Sequence, residues 1–564
     1  MWQIALVIGI YLPIVIVAGH YLYHVTMQQK TWIDPVMNRI DHVIYNVCGI
    51  KQGNMTGKQY LLALILSNAI MVFIGYIILR IQSALFLNPN DVGNMEATLS
   101  FNTIISFMTN TNLQHYSGES GLTYLGQMLV ITFMMFTSAA TGYAACMAFC
   151  RRLVANTDTL GNFFVDFVRV TTRVLIPISF IVALFLVSQG SPQTFHANET
   201  IQTIEGNMQD IALGPVASLE SIKHVGTNGG GFNGANSSTP FENPTVITNI
   251  VEMLSMMLLP GASVVTFGLM VVNRRKKALF GKQGFVIFAA MSILFLIGLT
   301  TCYLAERAGN PIIDELGITQ DLGSMEGKEM RFGVPQSALF TVVTTAFTTG
   351  TVNNMHDTLT PIGGIVPLFN MMLNVVFGGK GVGLMNMMMY VMLTIFIACL
   401  MIGRSPQFLG KKIEEKEMKL IALCILIHPA IILGFSALAA STVAGVQGIT
   451  NPGSHGLSQV LYEYASSSAN NGSGFEGLSD NSTFWNVTTG LAMFFGRYLS
   501  IIIQLAIASL LAKKVWHSES VGTLKTDNAM FTFLLVSIVL MIGALTFLPA
   551  LALGPITEHL QIRS

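Results

Sequence analysis

Four short polar runs, set at nearly equal intervals along a strongly apolar chain, hold the residues best suited to chemistry. They read Thr109-Asn110-Thr111-Asn112-Leu113-Gln114, Thr227-Asn228-Gly229-Gly230-Gly231-Phe232, Thr348-Thr349-Gly350-Thr351-Val352-Asn353 and Asn470-Asn471-Gly472-Ser473-Gly474-Phe475. Their first positions lie 118, 121 and 122 residues apart, a spacing that points to internal quadruplication. Glycine permits the positive φ that turns a carbonyl inward, and Thr and Asn add side-chain oxygens. A ring of such oxygens can replace the hydration shell of a desolvated alkali cation. No carboxylate, imidazole or thiolate stands in the runs, which favours a monovalent ion over Ca²⁺ or a transition metal. The candidate ion-binding residues are Thr109, Asn110, Thr111, Asn112 and Gln114 in the first run, and Thr227, Asn228, Gly229 and Gly230 in the second. The third supplies Thr348, Thr349 and Gly350, the fourth Asn470, Asn471 and Gly472. Gln114 reads either as an amide oxygen in the filter wall or as a loop glutamine. An acid follows each run, Glu119, Glu242, Asp357 and Glu476. These read either as a vestibule ring that concentrates cations or as solvated loop acids.

The elements that must position these runs are helices in a membrane. Of 564 residues, 52% are hydrophobic and 10% charged, against roughly 25% charged in an ordinary soluble domain, so a soluble protein is excluded. Apolar runs near 4–24, 60–82, 123–149, 172–189, 247–272, 285–305, 361–402, 419–444, 484–511 and 529–551 suit the ~20 residues that cross a ~30 Å hydrocarbon core. No positive stretch precedes the first, which reads as a retained span. Each polar run follows a modestly apolar, helix-length stretch. Non-helical backbone at membrane depth is tolerated only where it is buried in protein or lines an aqueous path. The expected fold is an all-α polytopic membrane protein of ten transmembrane helices, with four span, pore helix, filter, span repeats around a pseudo-fourfold pore and one extra span at each end. The expected units are an N-terminal span (1–28), repeats at 59–150, 170–273, 284–403 and 419–512, and a C-terminal span (528–564).

Net charge is zero, with 29 Lys+Arg and 29 Asp+Glu, so no overall field points to nucleic acid. Sorted by loop, 21 of the 29 cations fall on one side, including Arg274-Arg275-Lys276-Lys277. That side is expected to be cytoplasmic and both termini extracytoplasmic. Two cations fall inside apolar runs. Lys380 stands in Gly378-Gly379-Lys380-Gly381-Val382-Gly383, which breaks a 42-residue run that as continuous helix would extend about 63 Å. An intramembrane lysine flanked by glycines reads as a loop able to gate the conduit, or as a kink with a structural anchor. Arg497 reads as a buried charge paired with an acid of another helix or subunit, or as an interfacial residue. The six cysteines lack metal spacing, the Met-rich stretch 385–389 reads as packing, and no HExxH, GxSxG or GxxxxGK[ST] occurs.

The segments SFMTNTNLQHYSGE (106–119), GTNGGGFNGANSSTPFENPT (226–245), FTTGTVNNMHD (347–357), GGKGVGLMNM (378–387) and SSSANNGSGFEGLSDN (466–481) resemble the potassium-translocating A subunits of Kdp-type bacterial potassium-transporting ATPases, over essentially the whole chain. Phe232-Asn233-Gly234 departs from the commoner Phe-Phe-Asn. The resemblance implies a K⁺-selective subunit of the bacterial inner membrane that hydrolyses nothing and binds no nucleotide, ATP being used by a partner P-type ATPase subunit, with small single-span accessory subunits and membrane lipids alongside. It also implies that K⁺ enters from outside and passes through a tunnel between subunits, that Gln114 and Gly229 match filter positions, and that the loop around Lys380 matches the element blocking direct passage. An autonomous K⁺ channel or an ion-coupled K⁺ symporter of the same repeat superfamily is the alternative. A membrane-embedded enzyme is disfavoured for want of a catalytic constellation.

Overall fold

The computed structural model describes residues 2–154, 159–272, 278–518 and 523–563, so the basic run Arg274 to Lys277 lies outside the described residues. Ten helices are long and apolar enough to cross a bilayer. They are Trp2–Thr26, Gly57–Arg80, Tyr124–Val154, Phe163–Gln189, Val246–Val271, Lys282–Ala308, Val382–Met401, Glu415–Ser441, Thr483–Ala512 and Ala529–Leu551. Side-chain caps begin several of them: Thr56, Thr245, Ser482 and Asn528 each accept a hydrogen bond from the first helical turn.

Between paired spans sit four shorter helices, Ala97–Met108, Val216–Val225, Gly333–Ala346 and Ser454–Ala469. At 10 to 16 residues, or roughly 15–24 Å, they are too short to cross and dip into the protein instead. Each lies in one span, short helix, turn, span unit, and the four turns meet at the centre. The third unit departs from the pattern. Its long apolar run is a 13-residue helix, Pro361–Leu373, followed by a broken segment and the 20-residue span Val382–Met401. Asn374, Phe377, Gly378 and Gly381 all take positive φ there, which ends one helix and reverses the chain before the next.

The two flanking spans support this broken segment. The first packs along Val246–Val271 and brings the Tyr11 ring against Phe347 and Phe377, at 6.1 and 6.4 Å between centroids. The last packs on Lys282–Ala308 and on Pro361–Leu373. Where Val246–Val271 meets Lys282–Ala308, a Cβ on Gly284 would lie 2.6 Å from the Gly268 Cα, so only glycine allows that approach.

One buried ion cluster fixes the basic end. Arg173, in a π-helical turn (Thr171–Leu175), donates from Nε to Asp34 at 2.9 Å, from Nη1 to Asp41 at 2.5 Å and from Nη2 to Asn38 at 2.6 Å. These partners lie on the amphipathic helix Asp34–Val47, which is thereby tied to span Phe163–Gln189. Replacing Arg173 by leucine leaves two carboxylates without their cation, a change that costs about 3–5 kcal/mol for a buried pair. We expect Arg173→Leu to lower the melting temperature of the detergent-solubilised protein markedly, and an unchanged melting curve would show the cluster to be dispensable.

Candidate ion-binding site

The four turns share one backbone device. Asn110, Thr227, Thr348 and Asn470 adopt left-handed φ of 65°, 41°, 47° and 57°. The next residue in each case donates its N–H to the carbonyl five positions back: Thr111 to Ser106 at 3.0 Å, Asn228 to Lys223 at 2.9 Å, Thr349 to Thr344 at 2.8 Å and Asn471 to Ser466 at 2.9 Å. This is a helix C-cap repeated four times. It corrects the sequence register by one residue in the first unit, where Asn110 and not Thr109 matches Thr227. Thr109 still has right-handed φ and caps its helix, so matching threonine to threonine misplaced the helix end. Thr227 and Thr348 are β-branched residues at positive φ, a conformation that costs on the order of 1–3 kcal/mol each and that the surrounding structure must hold in place.

After the caps the four strands converge. A Cβ built on Gly229 would lie 2.5 Å from the Thr349 carbonyl oxygen and 3.1 Å from those of Asn471 and Thr111. Gly350 and Gly472 are pressed likewise against the carbonyls of Asn471 and Thr111, and all three glycines have positive φ. No side chain fits at these points. Among the described residues, the carbonyls of Thr111, Asn228, Thr349 and Asn471 accept no hydrogen bond from the chain. The pore helices aim their C-terminal ends, each carrying about half a negative charge, at the same centre. Oxygens without donors and converging helix C-termini make a site for a cation.

The side chains of the turns mostly brace them. Thr109 Oγ1 donates to Ile105 O at 2.8 Å. Asn110 Nδ2 donates to Thr227 O at 2.6 Å, Asn470 Nδ2 to Thr111 Oγ1 at 2.9 Å and Asn471 Nδ2 to Thr344 O at 2.9 Å. Gln114 exchanges two hydrogen bonds with Gly231, donating to its carbonyl at 3.1 Å and accepting from its N–H at 2.9 Å, and so ties the first turn to the second. Asn112 and Thr349 differ: their buried polar side-chain atoms have no hydrogen-bond partner among the described residues.

The acids that follow the turns form no ring. Glu242 is fully buried and pairs with Lys223 at 2.8 Å. Glu119 accepts from Gly234 N at 2.8 Å, Glu476 from His356 N at 2.9 Å, and Asp357 from His455 at 3.0 Å. They cross-link the loops, although Glu476 stays open to solvent. A cavity of about 320 Å³ opens over the turns, lined by Asn112, Gln114, His115, Gly472, Glu476 and Asp480 among others.

On the opposite side the broken segment closes against the turns. Lys380 N donates to Thr227 Oγ1 at 3.3 Å, Thr348 Oγ1 donates to Asn374 Oδ1 at 3.3 Å, and Gly378 N donates to Ala346 O at 2.8 Å. The Phe377 ring stacks on Phe347 with centroids 4.6 Å apart. A Cβ on Gly379 would touch the Thr348 carbonyl at 3.2 Å. The Lys380 ammonium is buried without a hydrogen-bond partner among the described residues, and Arg497, also buried, lies within its electrostatic reach. Neither forms an ion pair with an acid among the described residues, so Arg497 lacks the partner from another helix of this chain that one reading of the sequence expected.

Sequence reasoning missed the buried group behind the second turn, where Lys223 meets Glu220, Glu242 and Asn236. Its signal was available: Glu220, Lys223 and His224 are ionisable residues in a re-entrant helix that is otherwise small and apolar. Also missed was His115, whose ring nitrogens face Asn486 Oδ1 at 2.7 Å and Glu463 Oε1 at 3.3 Å, with Asp480 at 3.8 Å. It joins the first unit to the fourth.

These elements define a polytopic membrane protein of four span, pore helix, span units about a shared centre, with a cation-suited site where the turns meet. Residues 5–560 match the family model of the potassium-transporting ATPase A subunit, and the chain belongs to that family. It is 57% identical over 561 residues to the potassium-transporting ATPase potassium-binding subunit of Clostridium acetobutylicum, covering 99% of each chain. Its identity to the subunit of the same name from Geobacillus kaustophilus is 56% over 568 residues, covering 100% of each. Among solved structures it is similar to the potassium transporter TrkH from Vibrio parahaemolyticus, with a TM-score of 0.47 and 14% identity over 77% of this chain and 84% of that one.

Burial opposes charge on His115, but Asp480, Glu463 and the Asn486 amide outweigh it and push its pKa up to about 9. Its charged form therefore stabilises the folded chain fully below the ordinary histidine value of about 6.5, and the contribution disappears as pH rises through about 9. His115→Gln should lower the melting temperature at pH 6.5, with the gap to the parent closing towards pH 9. A gap independent of pH would mean that the imidazolium is not the stabilising form.

Proposed function

We propose that the chain takes K⁺ from outside the cell, dehydrates it on the carbonyls of the four turns and passes it to a partner P-type ATPase subunit. The observation that carries this reading is the set of four equivalent, donor-free carbonyls meeting between four pore-helix C-termini. Residues Thr111–Asn112, Asn228–Gly229, Thr349–Gly350 and Asn471–Gly472 then form the filter, with Gln114 holding two of its walls together. Rigid cross-bracing keeps the oxygens from collapsing onto a smaller ion, whose dehydration they would then compensate less well.

Sidedness follows from the cations. The loops that collect 21 of the 29 Lys and Arg face the cytoplasm of a bacterial inner membrane, both termini lie outside, and the cavity over the turns is the entrance. Directly below the filter, the loop of Gly378, Gly379, Lys380, Gly381 and Gly383 obstructs the axis. Unit charges about 4 Å apart repel by about 4 kcal/mol at an effective dielectric near 20, so Lys380 and Arg497 together oppose straight passage of a cation. K⁺ leaves sideways, towards a partner that supplies ATP hydrolysis, and small single-span subunits complete the complex. This chain binds K⁺ as cargo and no nucleotide.

Gly229→Ala and Gln114→Arg should each raise the K⁺ concentration needed for half-maximal uptake about tenfold or relax discrimination against Na⁺, the first by strain and crowding at positive φ, the second by setting a cation in the wall. Unchanged kinetics and ion ranking in both would overturn the filter assignment. Rb⁺ uptake by a bacterium lacking its own K⁺ transport, with this chain expressed alone or with its partners, tests the pump reading. ATP-dependent uptake only in the full complex is expected. Uptake by the chain alone, insensitive to ATP depletion, would favour the channel or symporter.

A further inference from the structure

The residue five positions before the first filter carbonyl is a hydroxyl in three units and a lysine in one. Ser106 Oγ donates to Leu113 O at 2.9 Å, Thr344 Oγ1 accepts from Gly350 N at 2.9 Å, and Ser466 Oγ accepts from Gly472 N at 3.0 Å. Each hydroxyl braces its own turn. Lys223, the fourth member, is too long for that contact and reaches past the turn, donating to Asn236 Oδ1 at 2.6 Å and Ser237 Oγ at 3.1 Å. Its ammonium is fully buried and paired with Glu220 at 2.7 Å and Glu242 at 2.8 Å.

Asn236 carries the contact back to the filter. Its Nδ2 donates to the Gly229 carbonyl at 3.1 Å, while its Oδ1 also accepts from Thr351 Oγ1 of the third unit at 2.8 Å. The equivalent carbonyls of Asn112, Gly350 and Gly472 accept no hydrogen bond among the described residues, so this ring of four is uneven. A charged donor on Oδ1 polarises the amide and strengthens the bond that its Nδ2 makes. Glu242 completes the frame by accepting from Asn233 N at 2.6 Å and crowding Gly231, where a Cβ would lie 2.7 Å from its carboxylate.

We propose that Lys223 is a positioning residue for ion selection: acting through Asn236, it sets the place and strength of the Gly229 carbonyl and makes the second wall of the filter unlike the other three. The proposal rests on the filter reading above. It is tested in the assembled complex by measuring half-saturating concentrations of K⁺, Rb⁺ and Na⁺, and the maximal rate, for ion-stimulated ATP hydrolysis in Lys223→Met, Lys223→Arg, Asn236→Ala and Gly229→Ala. Lys223→Met and Asn236→Ala should raise half-saturation for K⁺ about tenfold and compress the K⁺ over Na⁺ preference, with the maximal rate within about twofold. Lys223→Arg, which keeps a cation beside Glu220 and Glu242, should recover part of both. Asn236→Ala leaves every charge in place, so it carries the test if loss of the buried cation prevents assembly of Lys223→Met. An unchanged affinity and ion ranking in Asn236→Ala, or a fall in maximal rate alone, overturns the proposal. If Gly229→Ala shifts the ranking at the same time, the filter reading stands without it. If Gly229→Ala is also silent, both fall.

Discussion

A backbone carbonyl at membrane depth with no donor is costly, and this protein places at least four of them at one point. Lipid cannot satisfy them, and other carbonyls facing them across the centre repel. The arrangement persists only if the surrounding structure over-determines it and a cation completes it. Four helix C-caps aim the oxygens, three glycines at positive φ let the strands approach, and a mesh of Asn, Thr and Ser side chains holds the walls from behind. The ten spans, in this view, are scaffolding that keeps four turns buried in protein and away from lipid.

The four units share one plan and depart from it at different places. The first turn retains Asn112 where the others have glycine, and Gln114 bridges it to its neighbour. Behind the second turn an ion cluster replaces a simple hydroxyl brace. The third unit interrupts its second span and folds the break against the turns. The fourth is joined to the first through His115. Each departure touches a neighbouring unit, so the units form one rigid frame and not four separable hairpins. The flanking spans belong to the same frame, since Tyr11 from the first packs directly on Phe377 of the broken segment.

The cations nearest the turns occupy particular places. Among the described residues no cation stands in the four turns themselves; Lys223 is buried behind the second turn, and Lys380 and Arg497 are buried on the side of the broken segment. In the proposed path an ion meets oxygens and helix ends first and the Lys380 and Arg497 cations afterwards.

Much of this was legible in the sequence, for definite reasons. Apolar run length determines the spans, because the bilayer thickness is fixed. Four polar turns at equal spacing determine the repeat, and the glycines around Lys380 mark the break, because glycine and an intramembrane charge are both expensive in a continuous span. What the tertiary structure alone decided is where polar groups point. Thr109 and Asn110 differ by one residue in sequence, yet only the helix end decides which of them turns the chain out of the helix. The oxygens of Asn110 and Gln114 were available to an ion by composition, but donors more than 100 residues away in a neighbouring unit claim them, and Asn470 donates its Nδ2 to Thr111 of the first unit. Glu242 likewise turned inward to Lys223, not outward to a vestibule. A hydrogen bond depends on two partners about 3 Å apart, and a linear chain specifies one partner at a time.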